Sequence, residues 1–314
     1  MRILRSISEL AQIPGPLFLA IGVFDGVHLG HQAVISTAAR HAAKADGSAV
    51  VVTFDPHPAK ILRPRESPRL LTATQHKIAL IRALGVSHLL VLKFDRELAS
   101  TSPDDFVRQL VAAAQPLREI CVGQEWSFGK NRAGNLKLLK ELGARLDFNV
   151  VGVEPVTSNG TIVSSTEIRK AVEAGDFAKA ARMLGRDYTI LGTVEEGKHL
   201  GKTLGFPTAN LSAHSEQFPP NGVYAAEGLL AGKKVRGVAN LGLRPTIDST
   251  SPQRVLEFHL FDFDRELYGE DIELRFVQYL RPERKFENLA ALREQIARDV
   301  NEARKILGLT NPEV

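Results

Sequence analysis

At 314 residues the chain is too long for one typical core, so two domains are expected. Its charge, 40 Lys and Arg against 36 Asp and Glu, is interspersed without a basic block or a basic stripe carrying aromatics, so nucleic acid is not an expected partner. A single cysteine, Cys121, excludes an internal disulfide, and the apolar run Pro16 to Ile21 is too short to cross a membrane; a cytoplasmic protein with no membrane partner is expected.

In chain order, Leu17 to Phe24 reads as a buried strand ending in Asp-Gly, followed by a helix from about His31 to Ala45. Strands follow at Ala49 to Phe54 and His88 to Phe94, with a helix over Thr74 to Leu84 between them. Pro103 and Asp104 start a helix reaching Ala114. Glu119 to Val122 is a strand, Asn135 to Leu146 a helix and Phe148 to Val153 a strand. Apolar strands alternating with helices imply an α/β, doubly wound parallel sheet. Ligands of such sheets bind beyond the carboxyl ends of the strands. Two more helices, Ser164 to Glu173 and Phe177 to Leu184, close this half.

Past Gly185 the period changes to two: Leu256, Phe258 and Leu260 share one face of a strand, and Ile272, Leu274 and Phe276 share one face of another. Gly222 to Leu230 and Lys233 to Leu241 read as a hairpin turning at Ala231-Gly232. Several short antiparallel strands imply a small β-barrel. Leu289, Leu292, Ile296, Val300 and Leu307 follow helical spacing up to Gly308, a C-terminal helix. The boundary falls near residue 186, giving domains 1–185 and 186–314.

Two strings carry chemistry. In Gly22 to His31, the imidazoles of His28 and His31 are three residues apart around Gly30, where a loop enters a helix. A helix start attracts anions, and Gly22, Gly26 and Gly30 let backbone approach a phosphate. Two imidazoles there can donate to oxygens that gain charge as a phosphorus bond breaks. A metal pair or two surface histidines on a turn is the plainer reading. Ser164-Ser165-Thr166-Glu167-Ile168-Arg169 reads plainly as a capping box from Ser164 to Glu167, and its three hydroxyls with Arg169 also suit a phosphate clamp; both can hold at once, the cap ordering the site while Ser165, Thr166 and Arg169 contact a nucleotide. Between Val122 and Gly134, Trp126 or Phe128 could stack on a flat ring, although single aromatics usually belong to a core.

The second string runs Gly201-Lys202-Thr203-Leu204-Gly205-Phe206-Pro207-Thr208-Ala209-Asn210. Gly201 and Gly205 make a permissive turn holding Lys202. In an extended segment Thr208 and Asn210 project to one side, and their hard oxygens suit Mg²⁺ that also holds phosphate. A structural turn after Pro207 is the plainer reading. Glu257 lies on the strand face opposite Leu256 and Phe258; it faces either solvent or a cavity where it could accept a hydroxyl proton.

Together, Gly22 to His31, Thr53-Phe54-Asp55-Pro56-His57-Pro58, Val122 to Gly134 and Val163 to Arg169 resemble the FAD synthetase module of bacterial bifunctional riboflavin kinase/FAD synthetases, which is similar in fold to HxGH nucleotidyltransferases. The resemblance implies adenylyl transfer from ATP to FMN, with His28 and His31 catalytic. It also implies a nucleotide site over Gly22, Phe24, Asp25, Gly26, Gly30, Ser164, Ser165, Thr166 and Arg169. The flavin side would hold Pro58, Gly123, Glu125, Trp126, Phe128 and Arg132. Where the family usually has Asp-Phe, this chain has Glu125-Trp126, which motivates a second reading with a weakened or repurposed transferase module.

Gly192 to Asn210, Gly222-Val223-Tyr224, Gly237 to Asn240, Arg244-Pro245-Thr246, Glu257 to Asp264 and Arg281-Pro282-Glu283 follow the order found in riboflavin kinases. That resemblance implies a six-stranded antiparallel barrel. Gly201, Lys202, Gly205, Thr208 and Asn210 would hold the nucleotide, Thr208 and Asn210 the Mg²⁺. Glu257 would activate the ribityl hydroxyl of riboflavin, with Arg281 beside the flavin. Leu243 stands where the family commonly has Thr, and Lys202 where it commonly has Arg. The expected co-substrate is ATP, and the expected small-molecule partners are riboflavin, FMN and FAD. A flavin- or RNA-binding regulator without catalysis is the alternative from another class.

Overall fold

The computed structural model describes residues 1–196, 205–214, 217–244, 253–263 and 265–310. The chain forms two compact units. One is Met1–Ile168 with Arg182–Gly185; the other is Arg169–Ala181 with Arg186–Val314.

The first unit opens with β1 (Arg2–Leu4) and β2 (Leu17–Ile21), the latter fully buried. There follow α1 (Leu29–Lys44), β3 (Ser48–Asp55), α2 (Pro58–Leu62), α3 (Thr74–Ala83) and β4 (His88–Lys93). Then come α4 (Arg96–Ser100), α5 (Pro103–Ala113), β5 (Leu117–Gly123), α6 (Leu136–Leu146) and β6 (Asn149–Val153). A small hairpin, β7 (Thr157–Ser158) and β8 (Thr161–Ile162), precedes α7 (Ser165–Glu173) and α8 (Phe177–Leu184).

The six main strands pair in the order β1-β4-β3-β2-β5-β6, all parallel. Two apolar layers cover the sheet. Leu19, Val50, Leu90 and Phe106 lie in one, and Phe18, Val51, Ile35 and Ile81 in the other. Chain order reverses at β2, whose neighbours are β3 and β5, so the switch point lies at the carboxyl ends of β2 and β5. Within this unit His41 on α1, Glu119 and Cys121 on β5 satisfy one another. The imidazole lies 2.6 Å from the carboxylate and the thiol donates to it at 3.2 Å.

Sequence periodicity located β2 to β6 and the longer helices closely, with two shifted boundaries. β2 stops at Ile21 because Phe24 adopts φ 53°, Gly26 φ 85° and Val27 φ 41°, conformations incompatible with a strand. α1 starts at Leu29 because His28 is its N-cap. The short α2 was not expected; Pro58 occupies its first turn, where a missing N–H costs nothing.

The second unit is a closed barrel with strands β9 (Thr189–Glu195), β10 (Ala209–Ala213), β11 (Gly222–Leu230), β12 (Lys233–Arg244), β13 (Gln253–Leu260) and β14 (Asp271–Arg281). They close in the order β10-β13-β12-β11-β14-β9, and every pairing is antiparallel. Leu256 is the cross-strand partner of both Leu211 and Leu241, and all three are buried, as are Ile272, Leu274 and Phe276 of β14. The final helix α9 (Leu289–Ile306) packs Ala303 and Leu307 against Val223, Ala225, Val238 and Phe261. Leu289 itself is exposed, so the buried stripe occupies only the later turns of α9. Phe177 stacks on Phe276 at 5.8 Å and meets Tyr224 edge-on, and so the start of α8 groups with the barrel.

Candidate functional site

In the first unit the loop Gly22–His28 leaves β2 and feeds α1. Its geometry depends on residues that tolerate positive φ or lack a Cβ: a Cβ on Gly26 would come within 2.8 Å of Leu71. Gly26 N donates to Thr72 Oγ1 at 3.0 Å. The Asp25 carboxylate is buried and accepts from Leu71 N and Thr72 N at 3.0–3.1 Å. Asp25 therefore ties the loop to a second segment through its side chain. Phe24 is likewise buried, its ring edge-on to His31 at 5.3 Å.

The His28 and His31 rings stack, with centroids 3.5 Å apart and planes 20° apart. His28 Nδ1 accepts from His31 N at 3.3 Å, capping α1. An accepting Nδ1 places the proton of neutral His28 on Nε2, leaving that atom a donor. Burial pushes the His31 imidazole well below its usual range, with His28 and Lys77 pressing the same way. Its Nδ1 is buried and has no hydrogen-bond partner among the described residues. Ser165 Oγ donates to Asp25 O at 2.9 Å, which brings the start of α7 onto the imidazole loop across 140 residues of sequence. Ser164 Oγ accepts from Glu167 N at 3.3 Å, half of the expected capping box. Thr166 is exposed, and Arg169 follows one turn later in α7.

Beyond the ends of β2, β3 and β5 lies a cavity of about 760 Å³ lined by Val23, Phe54, Pro58, Trp126, Phe128 and Arg132, among others. Its size and apolar, aromatic lining suit a flat organic ring. Glu125 also lines it, whereas Gly123 does not. Trp126 stacks on Phe128 at 4.5 Å and 9°, so the indole forms part of the wall rather than filling the space. Arg132 Nε donates to Ser127 Oγ at 2.8 Å. Sequence reasoning missed two parts of this region. His57 caps α2 through Nδ1 and lines the cavity. Lys77 is a buried lysine whose Nζ donates to Val23 O, Thr53 Oγ1 and Phe54 O. The available signal was a lysine four residues before Ile81, on the apolar stripe of α3.

In the barrel, Asn210 on β10 is the direct partner of Glu257 on β13, and Glu257 of Asn240 on β12. Directly opposed residues share a face, so the amide, the carboxylate and the second amide form one row on the face opposite buried Leu211, Leu256 and Leu241. Asn210 Oδ1 is buried without a hydrogen-bond partner among the described residues. A hard oxygen in that condition fits a cation ligand. Thr208, just before β10, is exposed. His259 shares a strand face with Glu257, and its Nδ1–H donates to Pro207 O at 2.7 Å, pinning the segment that carries Thr208. Burial lowers the His259 imidazole below its usual range. Neither Asn240 nor His259 had been given a role from sequence. Gly205 has φ 85° and open space around it; Gly201 and Lys202 lie outside the described residues.

The Arg281 guanidinium is held by the buried Asp299 of α9, at 3.0 Å from Nε and 2.7 Å from Nη2, and Nη1 donates to Pro282 O. Its charge is thus met within the chain and fastens α9 to the barrel.

The FAD synthetase family matches residues 11–167 and the riboflavin kinase family residues 184–307. The chain is 35% identical to the bifunctional riboflavin kinase/FMN adenylyltransferase of Escherichia coli (strain K12) over 314 residues, 99% of this chain and 100% of that one. The chain belongs to the bifunctional riboflavin kinase/FMN adenylyltransferase family. The Bacillus subtilis (strain 168) relative of the same description is 38% identical, covering 91% of this chain and 90% of that one. The crystal structure of a macrolide-efflux protein from Streptococcus pneumoniae is also similar, with TM-score 0.79, 27% identity and coverage of 96% of this chain and 98% of that one. Among the described residues no helix is long and apolar enough to cross a membrane. The FAD synthetase domain thus holds the stacked imidazoles and the aromatic cavity, and the riboflavin kinase domain holds the amide–carboxylate row.

Proposed function

We propose that the chain makes FAD in two steps on two sites. The domain over residues 186–314 transfers the γ-phosphoryl group of ATP to riboflavin, giving FMN and ADP. The domain over residues 1–185 transfers AMP from a second ATP to the FMN phosphate, giving FAD and pyrophosphate. The supporting observation is that each unit gathers one constellation from distant segments: His28 and His31 with Ser165, and Asn210 with Glu257.

In the kinase step Glu257 accepts the proton of the ribityl 5′-hydroxyl as that oxygen attacks the γ-phosphorus. Thr208 and Asn210 hold Mg²⁺, which when bound neutralises phosphate charge and orients the nucleotide. Asn210 and Asn240 flank Glu257 across the strands, and His259 holds the Thr208 segment in register. In the adenylyl step the FMN phosphate attacks the α-phosphorus of ATP and pyrophosphate leaves. His28 and His31 donate to phosphate oxygens as charge develops, at a helix start that favours anions. Stacked at 3.5 Å, the two rings would not both carry charge without mutual repulsion, so neutral His31 beside His28 is the stable arrangement. Ser165, Thr166 and Arg169 steady the nucleotide, and the Trp126–Phe128 wall takes the isoalloxazine ring. ATP and free flavins as co-substrates suit a cytoplasmic setting, and neither nucleic acid nor membrane takes part.

Chromatography of flavins over time, from riboflavin, ATP and Mg²⁺, tests this reading. FMN should rise first and FAD follow. FMN that accumulates without FAD or pyrophosphate would leave only the kinase half standing.

A further inference from the structure

Lys77 is 5% exposed, yet it lies on a helix face shared with fully buried Ile81. An apolar residue would pack there without the desolvation penalty that an ammonium carries. The ammonium instead donates to three acceptors from two segments: Val23 O at 3.1 Å, Thr53 Oγ1 at 3.1 Å and Phe54 O at 3.2 Å. Thr53 Oγ1 in turn donates to Val23 O at 3.0 Å, closing a small network with no exposed member among its polar side chains. Val23 lies in the imidazole loop, and Val23 and Phe54 both line the cavity of about 760 Å³. The charge of Lys77 also acts on the His31 ring.

We propose that Lys77 is a positioning residue of the adenylyl-transfer site, holding the imidazole loop and one wall of the flavin cavity in fixed register. Asp25 and Asp55 face its ammonium and oppose its desolvation. Nothing places Lys77 against substrate; it acts through Val23, Phe54 and His31. The requirement is geometric, since small misplacements of reacting groups lower rates steeply. The inference rests on the reading that His28 and His31 serve adenylyl transfer.

The test uses full-length protein with FMN, ATP and Mg²⁺, and riboflavin phosphorylation as the internal control. Lys77→Met should lower kcat for FAD formation about 100-fold and raise the KM for FMN, as expected for displacement on the ångström scale. Kinase turnover should stay within about twofold, because Lys77 and the three groups it donates to all lie in the first unit. The His31 ring, followed by NMR, should titrate at higher pH in Lys77→Met and at its original pH in Lys77→Arg, which keeps the charge. Arg should also regain part of kcat. Thr53→Val removes one acceptor without touching the charge, and should lower kcat about tenfold while leaving the His31 titration in place. Wild-type kcat and FMN KM in Lys77→Met would overturn the proposal; if that variant does not fold, wild-type kinetics in Thr53→Val would do so. FAD synthesis that survives His28→Ala with His31→Ala would sink the site reading itself. Loss in that double variant alongside an unaffected Lys77→Met would sink only the role of Lys77.

Discussion

The two units build their candidate sites by different means. The α/β unit offers a loop of strained backbone, a helix start and two stacked imidazoles beside an aromatic cavity. The barrel offers neutral amides and one carboxylate set side by side across three strands. The contrast shows how each architecture places polar groups. A parallel sheet concentrates them where loops leave the carboxyl ends of its strands, so its site depends on loop geometry. A barrel can place them on the strands themselves, so its site depends on register, and a one-residue slip would turn Glu257 into the core.

Breaking each half separately sharpens this contrast. The largest effect is expected from Glu257→Gln. Loss of the proton acceptor should lower FMN formation by roughly 10²–10⁴-fold, while supplied FMN is still converted to FAD. Chromatography with either flavin as substrate reads both rates. The reciprocal variant, His28→Ala with His31→Ala, should lower FAD formation by roughly 10²–10³-fold and leave riboflavin phosphorylation unchanged. A folded double variant that loses both activities would mean that the two sites are not independent. Trp126→Ala should raise the KM for FMN up to about tenfold through the lost stacking surface, with kinase parameters unaltered.

Stability separates the units as well. Asp299→Ala leaves the Arg281 guanidinium, 17% exposed, without its carboxylate. Removing one partner of such a pair should destabilise the barrel by about 3–5 kcal/mol, read as a lower melting transition while FAD synthesis from FMN at low temperature persists. The smallest effect concerns pH. Burial pulls the Lys77 ammonium down to about 8, so above that pH the folded state has released a proton that the unfolded chain keeps. Stability should therefore gain from this group as pH rises from about 8 towards the ordinary lysine value, by at most about 1.4 kcal/mol per pH unit. The wild type should show this rise relative to Lys77→Met in denaturation series taken across that range.

Much of the site could be read in the chain because its chemistry is local. His28 and His31 sit three residues apart at a helix start, and that spacing alone brings their rings to one side. Alternation along Val255 to Phe261 separated Glu257 from the buried face in the same way. What could not be read depends on segments distant in sequence. That Leu71 and Thr72 donate to the Asp25 carboxylate could not be read from Gly22 to His31 alone. That α9 brings Asp299 against Arg281 is of the same kind. Lys77 carried only a faint signal, since a helical lysine is ordinarily solvated.

Composition, periodicity and the two motif strings determined by themselves that this is an α/β sheet followed by a barrel, with imidazoles on the first and hard oxygens on the second. Those features follow from residue spacing within single elements, where backbone geometry is the main constraint. Only the tertiary structure decided that Glu257 stands between Asn210 and Asn240, that Trp126 walls a cavity rather than filling a core, and that a buried lysine joins loop to strand. Those features arise from strand register and packing between distant segments, and no local pattern encodes which groups will meet.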